Sequence, residues 1–403
     1  MNRSGQLGSQ GKLLLPQNDI SRRSILRFAG LGAAVLGTAP LLAACGGSTT
    51  AAPGEETIKF NISTVPGDGF VIDAINAQNK DYAKRHLDVP KHIVPSSGVQ
   101  GFQLLAAGAV EGMAADTLNL MVTHANSQKG QKPQLIGFRT METTYGIARS
   151  KSGSWPSADA SFVEKIKSLK GKKVGVPAIG SGGDLQLKLA LEEAGLKYSD
   201  VTVLAVGLGA QAIPNMKANR IDAYVGVQWT TARYVAQETG GEVLVDFAEA
   251  SSPDVIRNQA VVSIIANEKT IAEKPQAVNN WLLAQNDAHE FMLNDKAGAA
   301  KILNDTALGG SGLEIASAYM DHYAADVAPK LQPMFKVPKD VVERMAEVGL
   351  RFGSIKKGDI TYESLVPEFA RRHFPAAGSI TKEQLHERHL TLSHGRRNGP
   401  DHR

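Results

Sequence analysis

The sequence predicts an α/β fold, and three observations carry that prediction. Between Thr57 and about Val261, short strand-period segments alternate with helix-period segments of ten or so residues. Beyond Val261 one further strand is followed by helix after helix. At 403 residues and 42% hydrophobic, the chain has room for two domains or one large one. Strands that alternate with helices imply parallel sheets covered on both faces.

The elements follow in order. "TIKFNIS" has the strand period, with Ile58, Phe60 and Ile62 on one face. "GFQLLAAGAV" reads as a helix from Gly101, and "TLNLMVTHANSQKG" as another closed by Gly130. "PQLIGF" is a short buried strand, and "KKVGVPA" is a strand after "FVEKIKSLKG". "DLQLKLALEEAG" is an amphipathic helix. Leu185, Leu187, Leu189 and Ala190 form its apolar side, Glu192 and Glu193 its wet side, and Gly195 closes it. "VTVLAV", "IDAYVGV" and "EVLVDF" are strands, separated by the helices "AQAIPNMKANR" and "TARYVAQETGG". "VVSIIAN" is the last strand, and five helical stretches follow, from "KPQAVNNWLLAQNDAHEFMLN" to "YESLVPEFARRHF". Residues 376–403 are polar, charged and glycine-containing, and read as a disordered tail. Its "HERH" has the second histidine one residue too early for a zinc-protease helix; a solvated overhang is the expected reading and a weakly metal-scavenging tail its alternative, and no metal site is assigned.

Charge is unevenly placed. Arg3, Lys12, Arg22, Arg23 and Arg27 against Asp19 give residues 1–44 all of the chain's net charge of +4, which leaves a neutral body. A neutral body with 6% aromatic residues gives no case for nucleic-acid binding. Within "SRRSILRFAGLGAAVLGTAPLLAAC", a basic stretch precedes a moderately apolar run, the layout of a secretory signal. Three glycines and a proline between Phe28 and Ala44 make it weak as a permanent membrane span. Arg22-Arg23 resembles a twin-arginine export signal. Leu42-Ala43-Ala44-Cys45 resembles the bacterial lipobox, and Cys45 is the only cysteine of the chain. The competing reading is a buried structural cysteine after an ordinary signal. Two acyl chains on Cys45 would anchor stably where one is marginal. Residues 1–44 are thus expected to be a signal peptide and residues 45–56, "GGSTTAAPGEET" after Cys45, a flexible tether. The body would stand on the outer face of a membrane.

No GxSxG elbow, GxxxxGK[ST] loop or GxGxxG fingerprint occurs, and "GSGGD" lacks a following lysine. This weighs modestly against an enzyme, since convergent triads need no motif. No cofactor is implied.

One block carries a family resemblance: "LKGKKVGVPAIGSGGDLQLKLALEEAGLKYSDVTVLAVGLGAQAIPNMKANRIDAYVG", residues 169–226. It resembles the substrate-binding proteins of ABC importers of the sulfonate, nitrate and taurine type, which share a fold with thiamine-pyrimidine-synthase-like proteins. The "G-x-x-D-A" step of that family is similar to Asn219-Arg220-Ile221-Asp222-Ala223 here. "LLAAGAVEGMAADT" resembles a second family block, with Glu111 at its first acid and Asp116-Thr117 in the site loop. The resemblance covers roughly Thr57 to Phe374. It implies a type II periplasmic-binding-protein fold, two α/β lobes joined by a hinge of two crossovers. Lobe one would be discontinuous, 57–142 and 250–375, and lobe two 143–249. The crossings would fall near Arg139–Tyr145 and Asp246–Asp254. Ligand would sit where the strand ends of both lobes face each other. Two departures stand out: Val227-Gln228-Trp229 replaces the family's W-D/E-P, and "NKDYAKRHL" replaces its K-G-Y-F.

Candidate site residues follow, each with a plainer alternative. Gly180, Ser181, Gly182 and Gly183 stand between strand and helix, where backbone N–H groups can hold an anion. Asp184 could instead cap that helix. Ser97 and Gly98 carry the same two readings. Asp116 and Thr117 precede a helix, as cap or as cleft residues. Gln228 and Trp229 follow a strand end, where Trp229 could stack on a planar ligand or close the core. Thr64 and Pro66, with Asp68, end the first strand. Arg139 could pair a carboxylate or sulfonate, or stand solvated. Gln228 in place of an acid favours an anionic ligand with a planar or apolar part. Asp116 and Asp184 together would suit an amine or a hydroxylated ligand instead. The expected function is capture of a small molecule and its delivery to a membrane permease and its ATPase, with no catalysis. The alternatives are an enzyme of the related pyrimidine-synthase fold and a ligand-sensing lipoprotein.

Overall fold

The computed structural model describes residues 56–331, 336–351 and 353–372. The signal peptide expected over 1–44, with Cys45, residues 46–55 of the expected tether and the tail 376–403 lie outside the described residues. The described strands are β1 Ile58–Lys59, β2 Ile62–Ser63, β3 Leu87–Asp88, β4 Gly112–Asp116, β5 Pro133–Thr140, β6 Gly146–Arg149, β7 Lys173–Val176, β8 Thr202–Ala205, β9 Ala223–Gly226, β10 Glu242–Asp246 and β11 Val262–Asn267. They form a small parallel pair β1-β3, a four-stranded sheet β2-β4-β11-β5 and a five-stranded sheet β10-β6-β9-β7-β8. We call the body around the four-stranded sheet lobe one, and that around the five-stranded sheet lobe two.

The sheets are mixed, not parallel throughout. β11 runs antiparallel to both β4 and β5, and β6 runs antiparallel to both β10 and β9. The other pairs, β2-β4, β7-β8 and β7-β9, are parallel. The reason is geometric. β6 and β11 are the strands that enter each sheet from the other one. The chain leaves β5 and β10 at their C-terminal ends, so the next strand starts at that edge and must run away from it. Both connecting segments therefore lie on one side, where the C-terminal ends of the two sheets meet.

Three strands, the two-residue β3 and the pair β4 and β6, have no counterpart in the periodicity. β4 is Gly-Met-Ala-Ala-Asp and β6 is Gly-Ile-Ala-Arg, both short and built of small residues. The first predicted strand is broken in two. Phe60 N–H donates to Asp88 O, and the Glu111 carboxylate takes the Asn61 N–H at 2.6 Å, so the chain shifts between sheets there. Asn219, at the glycine position of the family step, takes φ 54°, a left-handed conformation that asparagine tolerates.

Helices cover both sheets. The 20-residue helix Pro275–Asn294 opens on proline at its first turn and buries Trp281, which packs on Phe60 with ring centroids 5.4 Å apart. Lys296–Ala307, Leu313–His322 and Lys339–Arg351 follow, the last a strongly one-sided helix with Val341, Val342, Met345 and Val348 inward. One continuous core joins residues of both sheets, with smaller clusters around Trp281 and around Tyr224. Among the described residues no helix is long and apolar enough to cross a membrane.

Candidate functional site

Four helices start at the shared edge. In lobe one, Ser97 caps Gly98–Ala106 by taking the Gln100 N–H at 3.3 Å. Asp116 caps Thr117–Asn126 by taking the Asn119 N–H at 2.9 Å. In lobe two, Gly182–Glu193 and Trp229–Thr239 have no side-chain cap of their own. Lobe one supplies what they lack. In the amide orientation that satisfies its partners, Asn119 accepts from Gly182 N–H at 3.0 Å and donates to Gly180 O at 3.3 Å. Asp68 accepts from Thr230 N–H at 2.6 Å. Each exposed set of helix N–H groups would attract an acceptor, and here that acceptor comes from across the cleft.

Five of the expected residues meet around one cavity. Thr64, Gly98, Asp116, Ser181 and Gly182, with Asn119 and Tyr145, line an interlobe space of about 60 Å³. That is far below the roughly 300–1,000 Å³ of small-molecule sites. Gly182 is what lets the lobes meet: a Cβ there would lie 2.2 Å from the Tyr145 hydroxyl and 2.8 Å from the Asp116 carboxyl carbon. Tyr145 in turn donates to Asp116 at 2.6 Å. Burial pushes the Asp116 pKa up, against the hydrogen bonds from Tyr145 and two backbone N–H groups.

The other expected residues lie elsewhere. Thr117 is fully buried and spends its hydroxyl on Val261 O (3.2 Å) and Ser263 Oγ (2.7 Å), inside lobe one. Gly183 packs against Pro177 and Val227. Asp184 neither caps through the first helix position nor faces the cleft. Its carboxylate takes Gly180 N–H (2.8 Å), Lys188 (2.9 Å) and the Tyr198 hydroxyl (2.5 Å). Arg139 is neither solvated nor in the cleft. It is buried against Asp73 (2.7 and 2.8 Å) and Gln285. Gln228 lies across the lobes, its amide donating to Pro66 O at 3.3 Å and filling the place where a Cβ of Gly67 would be. Gly67 has φ +146°, so a side chain is excluded there twice over.

Trp229 does not line the interlobe cavity. Arg233 lies over its ring at 3.7 Å, and the His322 ring stacks on it at 5.4 Å with a 13° tilt. His322 also reaches Glu142 (2.7 Å) and Asp326 (3.0 Å), and Lys330 reaches Glu142 (2.6 Å). Burial disfavours the charged imidazole, but those two carboxylates outweigh it and hold the His322 pKa above its ordinary value. Glu142 belongs to the first segment between the sheets, so this cluster ties that segment to a lobe-one helix and to lobe two.

Asp68 has a pH consequence. Burial pushes its pKa up to about 6, although Thr230, Gly69 and Arg233 all favour the charged form, and its second oxygen is buried without a partner. A raised carboxyl pKa means that the closed form binds the proton better than the open or unfolded chain. Ionised Asp68 therefore costs stability above about pH 6, and the cost fades as pH falls toward 4. Asp68→Asn should raise the melting temperature at pH 7.5, by stability on the order of 2 kcal/mol. The difference from wild type should shrink by pH 4.5. Melting curves at both values test this, and an equal difference at the two would show that Asp68 does not titrate there.

Sequence reasoning missed Asn119, Tyr145, Asp68 as an interlobe cap, and His322. Only Asn119, three residues after Asp116 in a capping pattern, left a local trace.

Comparison with known proteins agrees with this geometry. Among solved structures, the chain is similar to the alkanesulfonate-binding protein SsuA of Xanthomonas axonopodis pv. citri, at 16% identity and TM-score 0.57, over 75% of this chain and 96% of that one. It is similar to the periplasmic nitrate-binding protein NrtA of Synechocystis PCC 6803, at 14% identity and TM-score 0.57, over 75% and 83%. It is also similar to the desulfurization enzyme DSZB, at 16% identity and TM-score 0.51, over 78% and 97%. These likenesses establish the periplasmic-binding-protein fold. A provisionally named binding protein of Brucella abortus (strain 2308) is 30% identical over 129 residues, 32% of this chain. The match spans 38% of that relative's length. Residues 72–299, more than half of the sequence, match the family model described as NMT1/THI5 like, and the chain belongs to the NMT1/THI5-like family.

Proposed function

We propose that this protein is the extracytoplasmic solute-binding component of an ABC importer, held to the membrane by lipid on Cys45, and that it captures a small organic anion between its lobes. The observation that carries the reading is the pair of lobe-two helix N-termini filled from lobe one by Asn119 and Asp68. When the lobes part, those N–H groups lose their acceptors. A ligand with an acceptor end can replace the neutral Asn119 amide at Gly182 and draw the lobes together again. A space of about 60 Å³ cannot hold an organic ligand as it stands, so capture requires opening.

The family and the named likenesses to sulfonate- and nitrate-binding proteins support this reading, and the permease and ATPase are the partners it implies. The likeness to a desulfurization enzyme makes catalysis the competing reading. A thermal-shift screen over sulfonates, nitrate, aromatic acids and pyrimidines separates them. At about 100 times its dissociation constant a true ligand adds about 2.7 kcal/mol, a melting shift of several degrees. The best hit should be an organic anion and should be recovered chemically unchanged. A hit that is consumed favours the enzyme, and a best hit that is a cation removes the anionic ligand. The anchor is tested apart: Cys45→Ala should abolish labelling by a fatty-acid probe, and exported wild type that takes up no label has no such anchor.

A further inference from the structure

His322 joins three parts of the molecule. It is the last residue of the lobe-one helix Leu313–His322. Its ring stacks on Trp229, the first residue of the lobe-two helix Trp229–Thr239, with centroids 5.4 Å apart. Its Nε2 lies 2.7 Å from Glu142, in the first segment between the sheets. Its Nδ1 lies 3.0 Å from Asp326, in the single π-helical turn Tyr323–Val327 that follows the helix.

Both ring nitrogens therefore face carboxylates. A neutral imidazole has one N–H and one lone pair, so it can donate to only one carboxylate and turns its lone pair on the other. Only the imidazolium satisfies both. The charged ring is also the better partner for Trp229, because the face of an indole attracts a cation. The stack, the hydrogen bonds and the proton thus belong to one state, with the lobes together.

The neighbouring charges do not replace that proton. Lys330 is the second cation on Glu142, at 2.6 Å, and its side chain is half exposed. Burial pushes the Glu142 pKa up, and His322 and Lys330 together outweigh it. Without the histidine proton, a largely buried carboxylate keeps only that one lysine. From lobe two, Arg233 lies over the Trp229 ring, but its charge is met by Asp246 at 2.6 Å. Tyr319, the other ring against His322, stays neutral because burial pushes its pKa far up. Burial disfavours the charged imidazole of His322 itself, and its two carboxylates outweigh that, so the closed form binds the proton better than a chain in which these contacts are broken. The contribution is fully present below the ordinary histidine value of about 6.5, and it is lost as pH rises through the raised value.

We propose that His322 is a proton-operated latch on the cleft: protonated, it holds the helix Trp229–Thr239 of lobe two to lobe one through the Trp229 ring and Glu142, and deprotonated it lets the lobes part. The latch rests on the capture reading, since it regulates the opening that capture requires. It should change the ratio of closed to open protein by about tenfold, the size of one hydrogen bond to a charged group.

The test is solution scattering of the intact, ligand-free protein at pH 6.5 and 8.5, beside an NMR titration of the His322 ring. Wild type should have the smaller radius of gyration at pH 6.5. His322→Gln cannot carry the charge and should give the larger radius at both values. His322→Arg keeps a cation for Trp229 and the carboxylates throughout and should give the smaller radius at both. Asp68 also favours closure in acid, so the part of the pH response that His322→Gln removes is the part that belongs to the latch. In wild type the His322 ring should titrate above about 6.5, and Glu142→Gln should bring that value down. A His322 ring that titrates at or below its ordinary value overturns the latch. So does a wild-type radius that ignores pH, or a pH response undiminished in folded His322→Gln. The ligand screen reads capture at one pH with His322 intact, so latch and capture fail separately.

Discussion

Gly182→Leu should hold the lobes apart and weaken capture of the cleft ligand by about 100-fold or more, about 2.7 kcal/mol. The closed arrangement has no room for a side chain at this position. Its Cβ alone would overlap the Tyr145 hydroxyl at 2.2 Å and crowd Asp116 at 2.8–2.9 Å. Tyr145 cannot yield easily, because it is 2% exposed and follows the first segment between the sheets. Gly182 is the first residue of a lobe-two helix with an ordinary backbone conformation, so leucine suits the helix itself better than glycine. The crowding of Asp116 acts across the cleft on closure, whereas that of Tyr145 acts within lobe two, so a melting curve must accompany the binding measurement to separate the two. Solution scattering should show a larger radius of gyration than wild type, and the added ligand should not reduce it. A variant that is as compact as wild type and binds as well would mean that the lobes need not meet at Gly182.

Arg139→Met should cost about 3–5 kcal/mol of stability, read by denaturant unfolding. The guanidinium holds Asp73 through two bonds of 2.7 and 2.8 Å, and both side chains are 0–1% exposed. Methionine fills the space but strands a buried carboxylate. In wild type, burial pushes the Asp73 pKa up and Arg139 outweighs it, leaving the pKa below its ordinary value. The pair therefore stabilises the fold above the ordinary carboxyl range and loses that contribution as pH falls through the lowered value. Without Arg139 the pKa of Asp73 rises instead, so protonation relieves the variant. Its deficit should be largest near pH 7 and shrink on acidification. Adding Asp73→Asn, which keeps an acceptor for the Tyr82 hydroxyl, should recover much of the loss. A neutral-pH deficit below about 1 kcal/mol would show that the pair is not a determinant of stability.

The alternation of periods made the α/β class legible, and the amphipathic helix after "GSGGD" was placed within three residues of its observed start at Gly182. The helices after Val261 were equally visible, because each carries its apolar face in its own residues. β4 and β6 were not, because strands of four or five small residues have no period to read. The antiparallel strands were invisible for another reason: direction within a sheet is set by where the chain enters it, which no local pattern encodes. At the site, Asp116, Ser181 and Gly182 were legible as helix starts. Asn119 and Asp68 were not, since each serves a helix of the opposite lobe. Arg139 shows the same limit in reverse. Its charge suggested a ligand, and its partner Asp73 lies 66 residues away.

The insertion of β11 between β4 and β5 also fixes an order of assembly. All strands of the five-stranded sheet lie between Gly146 and Asp246. That sheet can pair as soon as this span of chain exists. The four-stranded sheet cannot. Until Val262–Asn267 is present, the eight-residue β5 has no neighbour at all, and β4 has only the two-residue contact with β2. Its closing pairs join residues more than 120 positions apart, a long loop to close before any contact rewards it. The half of the molecule that comes first in the chain is thus the half completed last, with its central edges unpaired while the later half is already whole.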